Sequence, residues 1–316
     1  MNGVLVVDKP KSLTSHDVVV RVRRQLGVRR VGHIGTLDPM ATGVLPIVVG
    51  RATRLATLLS GGSKVYDAVI RLGIATDTYD MTGTIVNSAS PSKSILPSIN
   101  HEMVERVKLS FIGTINQIPP PYSAKKIDGV RAYKLARSQR PVKMKSETVT
   151  VYKFEIYKFE NTHLHCRVIC SPGFYMRSLA NDLGIALGCG GCLEFLRRER
   201  NGEFGLEEAQ SIDTIERKGK ATNELLIPLE KILSGLPSVI VTENGARRAI
   251  HGNVLREIDF ATKTIEPKIS NPPSESEMQS DQKLPHKIRV LNSEGNLIAI
   301  AEPGAAKLLH PRIVLV

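Results

Sequence analysis

The residues best placed to do chemistry lie in Gly32-His33-Ile34-Gly35-Thr36-Leu37-Asp38-Pro39-Met40-Ala41-Thr42-Gly43. Its glycines let the backbone take conformations that other residues avoid. Pro39 steers Asp38 out of helical geometry and into an extended or turn segment. A carboxylate on such a loop can act as a nucleophile or as a base, and loops of this kind often carry function. The same pattern also suits an Asx turn, in which Asp38 only caps nearby backbone groups. Arg177 is a second candidate. It stands near the start of an expected helix, where the dipole disfavours a cation, and this points to a specific anion as its partner. A third group is the four cysteines, Cys166, Cys170, Cys189 and Cys192. Two close pairs invite a zinc reading. Against it, Leu164, Cys166, Val168 and Cys170 alternate as one apolar strand face would, with the thiols acting as small hydrophobes.

The elements that must position these groups can be read from periodicity. Gly3 to Asp8 predicts a strand, and Ser15 a cap for a helix over Asp17 to Leu26 with Val18, Val19, Val22 and Leu26 on its apolar side. Val44 to Val49 is an apolar run expected as a buried strand. Gly50 to Leu59 predicts a helix and Lys64 to Leu72 a strand, with Tyr66 near its start. Asp77, Asp80, Thr82 and Gly83 predict a turn that lacks the full calcium-loop pattern. Residues 87–98 read as an exposed connection. A helix over His101 to Leu109 and a short strand over Gly113 to Ile115 follow. Val149 to Phe159 and His163 to Cys170 predict neighbouring strands, and Tyr175 to Leu187 a helix. From Pro237 onward short strands are expected at Val239 to Val241, Val254, Ile288 to Leu291 and Leu297 to Ala301. Residues 261–287 are rich in Ser, Pro, Glu and Gln and are expected to be disordered.

Composition narrows the partners. The 316 residues carry 43 Lys and Arg against 31 Asp and Glu, a formal charge of +12. That excess favours a polyanion, nucleic acid before membrane. Arginines at 21, 23, 24, 29 and 30 approach the Asp38 loop, and a basic run with Tyr122 and Tyr133 spans residues 119–146. Trp is absent and aromatics make up 4% of the chain, which argues against a broad base-stacking platform. Neither an export signal nor an apolar stretch of membrane-spanning length is evident, so a cytoplasmic protein is expected. Dinucleotide and P-loop patterns are missing.

The words of the chain closely resemble those of the bacterial tRNA pseudouridine-55 synthases, the TruB family. Gly-His-Ile-Gly-Thr-Leu-Asp-Pro-Met-Ala-Thr-Gly is similar to the family signature. Val7-Asp8-Lys9-Pro10, Lys64-Val65-Tyr66, Gln117-Ile118-Pro119-Pro120, Gly173-Phe174-Tyr175-Met176-Arg177 and Leu196-Arg197-Arg198 resemble its other motifs in order. The resemblance implies an α+β catalytic domain over residues 1–235, a mostly antiparallel mixed sheet flanked by helices. Residues 236–316 then resemble a small PUA-type RNA-binding β-barrel. It implies an isomerase that converts uridine 55 of the tRNA T-loop by flipping the base, with no cofactor or metal and no obligatory protein partner, acting as a monomer on the T-arm, elbow and acceptor stem. By the same resemblance Asp38 is catalytic, Tyr66 stacks on the flipped base and helps remove its proton, and Arg177 pairs with Asp38. His33 fills the space the base leaves, Tyr175 and Leu196 wall the pocket, and Lys64 and Lys126 contact RNA. The segment over residues 119–146 corresponds to a mobile loop over the RNA. Lys125 departs from the family, which usually has an apolar residue there. A synthase of the same superfamily acting on another RNA, and a tRNA-binding chaperone without catalysis, are the alternative readings.

Overall fold

The computed structural model describes residues 1–86, 96–123, 125–127, 129–132, 135, 138, 144–262 and 287–315, with the backbone alone at Pro97, Lys126 and Arg131. The strands of its larger part are β1 (Gly3–Lys9), β2 (Val31–His33), β3 (Thr42–Val49), β4 (Lys64–Leu72), β5 (Gly113–Gln117), β6 (Lys126–Ile127), β7 (Val130–Arg131), β8 (Glu147–Glu160), β9 (His163–Cys170), β10 (Gly191–Asn201), β11 (Phe204–Gly205) and β12 (Gln210–Ser211). All except the β6–β7 pair join one sheet in the order β12-β1-β3-β10-β4-β9-β8-β5, with β2 added to β3 and β11 to β10. β1 with β12 and β3 with β10 are parallel, and the other pairings are antiparallel. The sheet is mixed and mostly antiparallel.

Helices α1 (Ser15–Leu26), α2 (Ala56–Leu59), α3 (His101–Lys108), α4 (Met176–Ala186) and α5 (Ile212–Lys218) complete this part. Val18 and Val22 of α1, Val104 of α3, Leu179 and Leu183 of α4 and Ile215 of α5 share one core with Leu5, Leu45, Ile47, Tyr66, Ile70 and Leu164 of the strands. Val4, Val6, Val44 and Val48 point to the other face and enter a second core with Leu55, Phe204 and Ile232. β3 is therefore buried on both faces, which is why its sequence is a continuous apolar run rather than an alternating one. Cys166 and Cys170 lie in the first core beside Leu164 and Val168, as the alternation predicts.

Two local expectations change. The cap of α1 is Thr14, not Ser15: the Thr14 hydroxyl accepts from the Asp17 N–H, and the Asp17 carboxylate accepts from the Thr14 N–H. Ser15 is diverted to the Asp38 loop, where its hydroxyl holds both the N–H and the carbonyl of Leu37. The stretch Gly50–Leu55 is a tighter 3-10 helix, and only Ala56–Leu59 is α-helical. The turn at Asp77 to Gly83 is present, with Asp80 accepting from Thr78 and Thr82. Residues 87–95 and most of 261–287 lie outside the described residues.

The C-terminal part has β13 (Ser238–Ile240), helix α6 (Glu243–Ile250), β14 (Ile288–Leu291), β15 (Leu297–Pro303) and β16 (Leu309–Val314). They form a four-stranded sheet in the order β13-β14-β15-β16, with its own core of Val239, Ala249, Val290 and Ala299. Among the described residues this sheet is open, with β13 and β16 at its edges, and barrel closure is not seen. Near Val254 only an isolated bridge forms, between Leu255 and Leu309. Leu297, Ile300 and Leu315 pack into the second core and join the small sheet to the large one.

The parallel contact of β3 with β10 is the junction over which the Asp38 loop stands. Gly43 has φ +100°, and a Cβ there would lie 2.2 Å from the Arg198 carbonyl oxygen. Gly43→Ala should therefore lower the unfolding free energy by about 1–3 kcal/mol from backbone strain alone. A urea midpoint equal to that of the wild type would refute this account of the junction.

Candidate active site

Asp38 sits on the loop between β2 and β3. That loop is clamped from two sides. From the N-terminal side, Lys9 at the end of β1 is fully buried and donates through Nζ to the carbonyls of Pro10 (2.9 Å), Leu13 (2.7 Å) and Pro39 (3.4 Å). The Ser12 N–H donates to the same Pro39 carbonyl at 2.8 Å. From the other side, Arg198 of β10, also fully buried, donates to the Gly35 carbonyl (2.7 Å) and the Val44 carbonyl (2.8 Å). The Asn201 amide donates to the Ile34 carbonyl at 3.0 Å. Gly35 has φ +67°, and a Cβ there would press on Asn201 and Arg198, so close approach as well as dihedral demands glycine.

Arg177, in the first turn of α4, closes the site. Its Nε donates to Asp38 Oδ2 at 2.8 Å and its Nη2 to Asp38 Oδ1 at 2.9 Å, a two-pronged pair. Two further N–H groups donate to the carbonyls of Thr78 (3.0 Å) and Tyr122 (2.9 Å). Arg177 is 5% exposed and Asp38 32% exposed, so the guanidinium is sunk while the carboxylate edge still meets the pocket. A second carboxylate, Asp80, lies 3.7 Å from Arg177 Nε. The cation disfavoured by the helix end is thus answered by two anions.

A pocket of about 220 Å³ opens over Asp38, lined among others by Lys64, Tyr66, Tyr175, Leu196 and Arg198. Tyr66 is buried, and burial pushes its phenol up to about 12 although the Arg198 guanidinium, which hydrogen-bonds its hydroxyl, opposes the shift. Tyr66 is therefore neutral at physiological pH. Tyr175 precedes α4, and the buried Gln117 side chain binds both its N–H (2.8 Å) and its carbonyl (3.1 Å). Burial also raises the Tyr175 phenol. Lys64 Nζ donates to the Gly62 carbonyl (3.2 Å) and lies near that of Ser60 (3.5 Å), and burial lowers it to about 8. Lys9 is lowered to about 8 for the same reason, against the pull of Asp38.

Of the residues singled out from the sequence, Asp38, Tyr66, Arg177, Tyr175, Leu196 and Lys64 converge on this pocket. His33 stands beside it at the end of β2, its Nε2 3.1 Å from the hydroxyl of Thr36, a pocket-lining residue. The Lys126 side chain is outside the described residues; its backbone forms the β6–β7 pair. Lys125, the departure noted above, forms an ion pair with Glu147. Sequence reasoning missed the roles of Lys9, Gln117 and Arg198 in holding the site and read Asp80 only as a turn residue. The one available signal was their presence in the same motifs. Arg197, next to Arg198, makes a two-pronged pair with Asp8 at 2.8 and 3.1 Å, tying the first and last motifs together. The cysteine thiols are buried, and desolvation raises all four. Among the described residues no group of His, Cys, Asp or Glu is arranged to hold a metal ion. No helix among them is long and apolar enough to cross a membrane.

The fold and the arginine-pinned carboxylate in a polar pocket define an enzyme of the pseudouridine synthase class. A structure described as an H/ACA RNP bound to a substrate RNA containing 2'-deoxyuridine has the same fold, with a TM-score of 0.68 at 22% identity, over 99% of this chain and 85% of that one. Two family models match in succession: the TruB family pseudouridylate synthase N-terminal domain over residues 23–176, and the tRNA pseudouridylate synthase B C-terminal domain over residues 177–234. The tRNA pseudouridine synthase B of Solibacter usitatus is 38% identical over 317 residues, covering 100% of both chains. That of Clostridium kluyveri is 39% identical over 269 residues, covering 85% of this chain and 90% of the other. The chain belongs to the TruB family, and it is an isomerase with tRNA pseudouridine synthase B activity.

The buried lysine gives a pH test. Lys9 titrates near 8 when folded and near 10.5 when unfolded. Between these values the unfolded chain holds more protons, so this group makes stability rise with pH. Lys9→Met lacks that term. The stability of the wild type relative to Lys9→Met should grow from pH 7.5 to 9.5, and parallel curves of unfolding midpoint against pH would refute the assignment.

Proposed function

We propose that this chain isomerises uridine 55 in the T-loop of tRNA, with Asp38 as the group that opens the glycosidic bond. The observation that carries the reading is the Asp38 carboxylate, held by both oxygens against Arg177 yet open to a pocket of nucleobase scale. In the reaction the bond from N1 to the sugar breaks, the base turns, and a bond from C5 to the sugar forms. A proton leaves C5 and one is gained at N1, so composition is unchanged and no redox partner enters. A carboxylate suits the opening step as a nucleophile or as a base toward the sugar. Arg177 holds its plane, and Arg198, Lys9 and Ser15 hold the loop beneath it, so little reorganisation is needed when charge moves.

The target uridine must leave its stack to reach Asp38, at a cost of a few kcal/mol, roughly. Tyr66 and the apolar side chain of Leu196 face the base and offset part of that cost. Being neutral, Tyr66 serves the C5 proton through its hydroxyl and not as a resident phenolate. Tyr175 completes the wall, His33 fills the gap the base leaves in the RNA, and Lys64 and Lys126 supply cationic contacts. Residues 1–235 carry the chemistry. The basic segment over residues 119–146 and a PUA-like module over residues 236–316 grip the T-arm, elbow and acceptor stem through phosphate contacts.

The test uses an unmodified tRNA transcript and the purified chain with no additions, with pseudouridine mapped by chemical adduct and primer-extension stop. The wild type should give a stop at the T-loop uridine. Asp38→Ala should give none while still binding tRNA, because Arg177 keeps Asp80 and two carbonyls as partners. A stop elsewhere, or activity in Asp38→Ala, would overturn the assignment. Tyr66→Phe keeps the ring and loses the hydroxyl: turnover should fall at least tenfold with tRNA affinity within twofold, and unchanged turnover would remove the proton role.

A further inference from the structure

The segment that leads into the basic stretch is fastened to the first turn of α4. The Gln117 side chain holds both backbone groups of Tyr175, and the Ser178 hydroxyl donates to the Ile118 carbonyl at 2.7 Å. Arg177 Nη2 donates to the Tyr122 carbonyl at 2.9 Å, and the next residue is Ser123. The guanidinium that aims Asp38 thus also fixes the backbone just before Ser123. Both residues line the catalytic pocket.

Ser123 is 4% exposed, and its hydroxyl oxygen is shut off from solvent without a hydrogen-bond partner. Among the described residues four buried side-chain polar atoms are in that position, on Arg23, Ser123, Asn201 and Arg289. Of these four residues Ser123 alone lines the catalytic pocket. Tyr175 is near enough for the Ser123 hydroxyl to oppose the upward shift of its phenol, yet no hydrogen bond of proper geometry joins them. The cationic donors of the pocket are largely committed to the protein: Arg177 to Asp38 and two carbonyls, Arg198 to the carbonyls of Gly35 and Val44, and Lys64 to that of Gly62. A buried hydroxyl left unpaired is costly, and the cost is recovered when a partner arrives. Serine turns about one side-chain torsion with staggered settings, so its oxygen can be presented to a guest while the backbone stays pinned.

Uracil brings the matching groups. Once it has left its stack and its water, its two carbonyls need donors. A half-turn of the base about the axis through N3 and C6 puts C5 where N1 was, and the same motion puts O4 where O2 was. A neutral donor beside one carbonyl of the bound uridine therefore meets a carbonyl again after that turn. We propose that the Ser123 hydroxyl donates to a carbonyl of the flipped uracil and holds the base on both sides of its half-turn. This rests on the reading of the pocket over Asp38 as the uridine site, and it adds a residue that touches the base.

The experiment compares the wild-type full chain with Ser123→Ala on tRNA carrying uridine, 2-thiouridine or 4-thiouridine at the T-loop target. Product nucleosides are separated chromatographically after digestion. At saturating tRNA, Ser123→Ala should convert uridine at least fivefold more slowly. Its unfolding temperature should equal or exceed that of the wild type, because the hydroxyl it lacks has no partner in the free protein. A lower unfolding temperature would reveal a structural partner and overturn the proposal. Sulfur accepts hydrogen bonds poorly, so at least one thio substitution should slow the wild type threefold or more beyond its effect on Ser123→Ala. A smaller loss with uridine, or a smaller difference between the two proteins with both thio substrates, would overturn the proposal and leave the assignment of the pocket intact. A wild type that fails to convert the unsubstituted T-loop uridine would instead overturn that assignment, and this proposal with it.

Discussion

The guanidinium of Arg177 meets the carboxylate of Asp38 across 139 residues of sequence, and most of the site's architecture exists to bring those two groups together at that angle. A cation at the start of a helix, 5% exposed, is an unfavourable placement taken alone. It becomes tolerable because Arg177 spends its donors on two carboxylate oxygens and two carbonyls, with Asp80 close behind. The arrangement leaves Asp38 oriented and partly bare. A carboxylate buried in full would be paired but useless, and one in open water would be free but unaimed.

Two other buried cations explain how a glycine-rich loop can be rigid. Lys9 and Arg198 are both fully buried, and the oxygens they bind are chiefly backbone carbonyls. Carbonyls in a loop lack ladder partners, and an unpaired one below the surface is costly. Here the donors come from the sheet on one side and the N-terminal segment on the other. Desolvation lowers Lys9 to about 8, the direction expected of a cation held away from water. Arg198 couples the loop to the pocket as well, since its guanidinium also reaches the Tyr66 hydroxyl. One side chain therefore ties loop, pocket wall and sheet together.

The large sheet also shapes what lies outside the catalytic pocket. β10 carries Leu196 and Arg198 to the pocket over Asp38 and Arg197 toward Asp8, then turns through Gly202 and Glu203 toward β11. Leu233 lies on the connection to the small sheet, so the N–H that steadies Glu203 belongs to the segment joining the two parts of the chain.

Much of this was legible in the sequence for local reasons. Period-two alternation marked β8 and β9, a continuous apolar run marked β3 as a buried strand, and Gly-rich words around Asp38 marked a loop. The motifs carried the family, and three of their residues, Asp38, Tyr66 and Arg177, line one pocket in the structure. Local reasoning failed where a side chain answers a distant partner: Ser15 looked like a helix cap, but its hydroxyl is taken by Leu37, and the cap passed to Thr14. Asp80 looked like a turn residue because its role as a second anion beside Arg177 exists only once α4 reaches the turn. The C-terminal strands were partly visible, but their arrangement as an open sheet was not, because strand order is set by long-range pairing. The sequence by itself determined which segments are strands, helices and loops and which residue types can react. Only the tertiary structure decided which charges face each other, because burial and pairing energies act between residues that the chain separates.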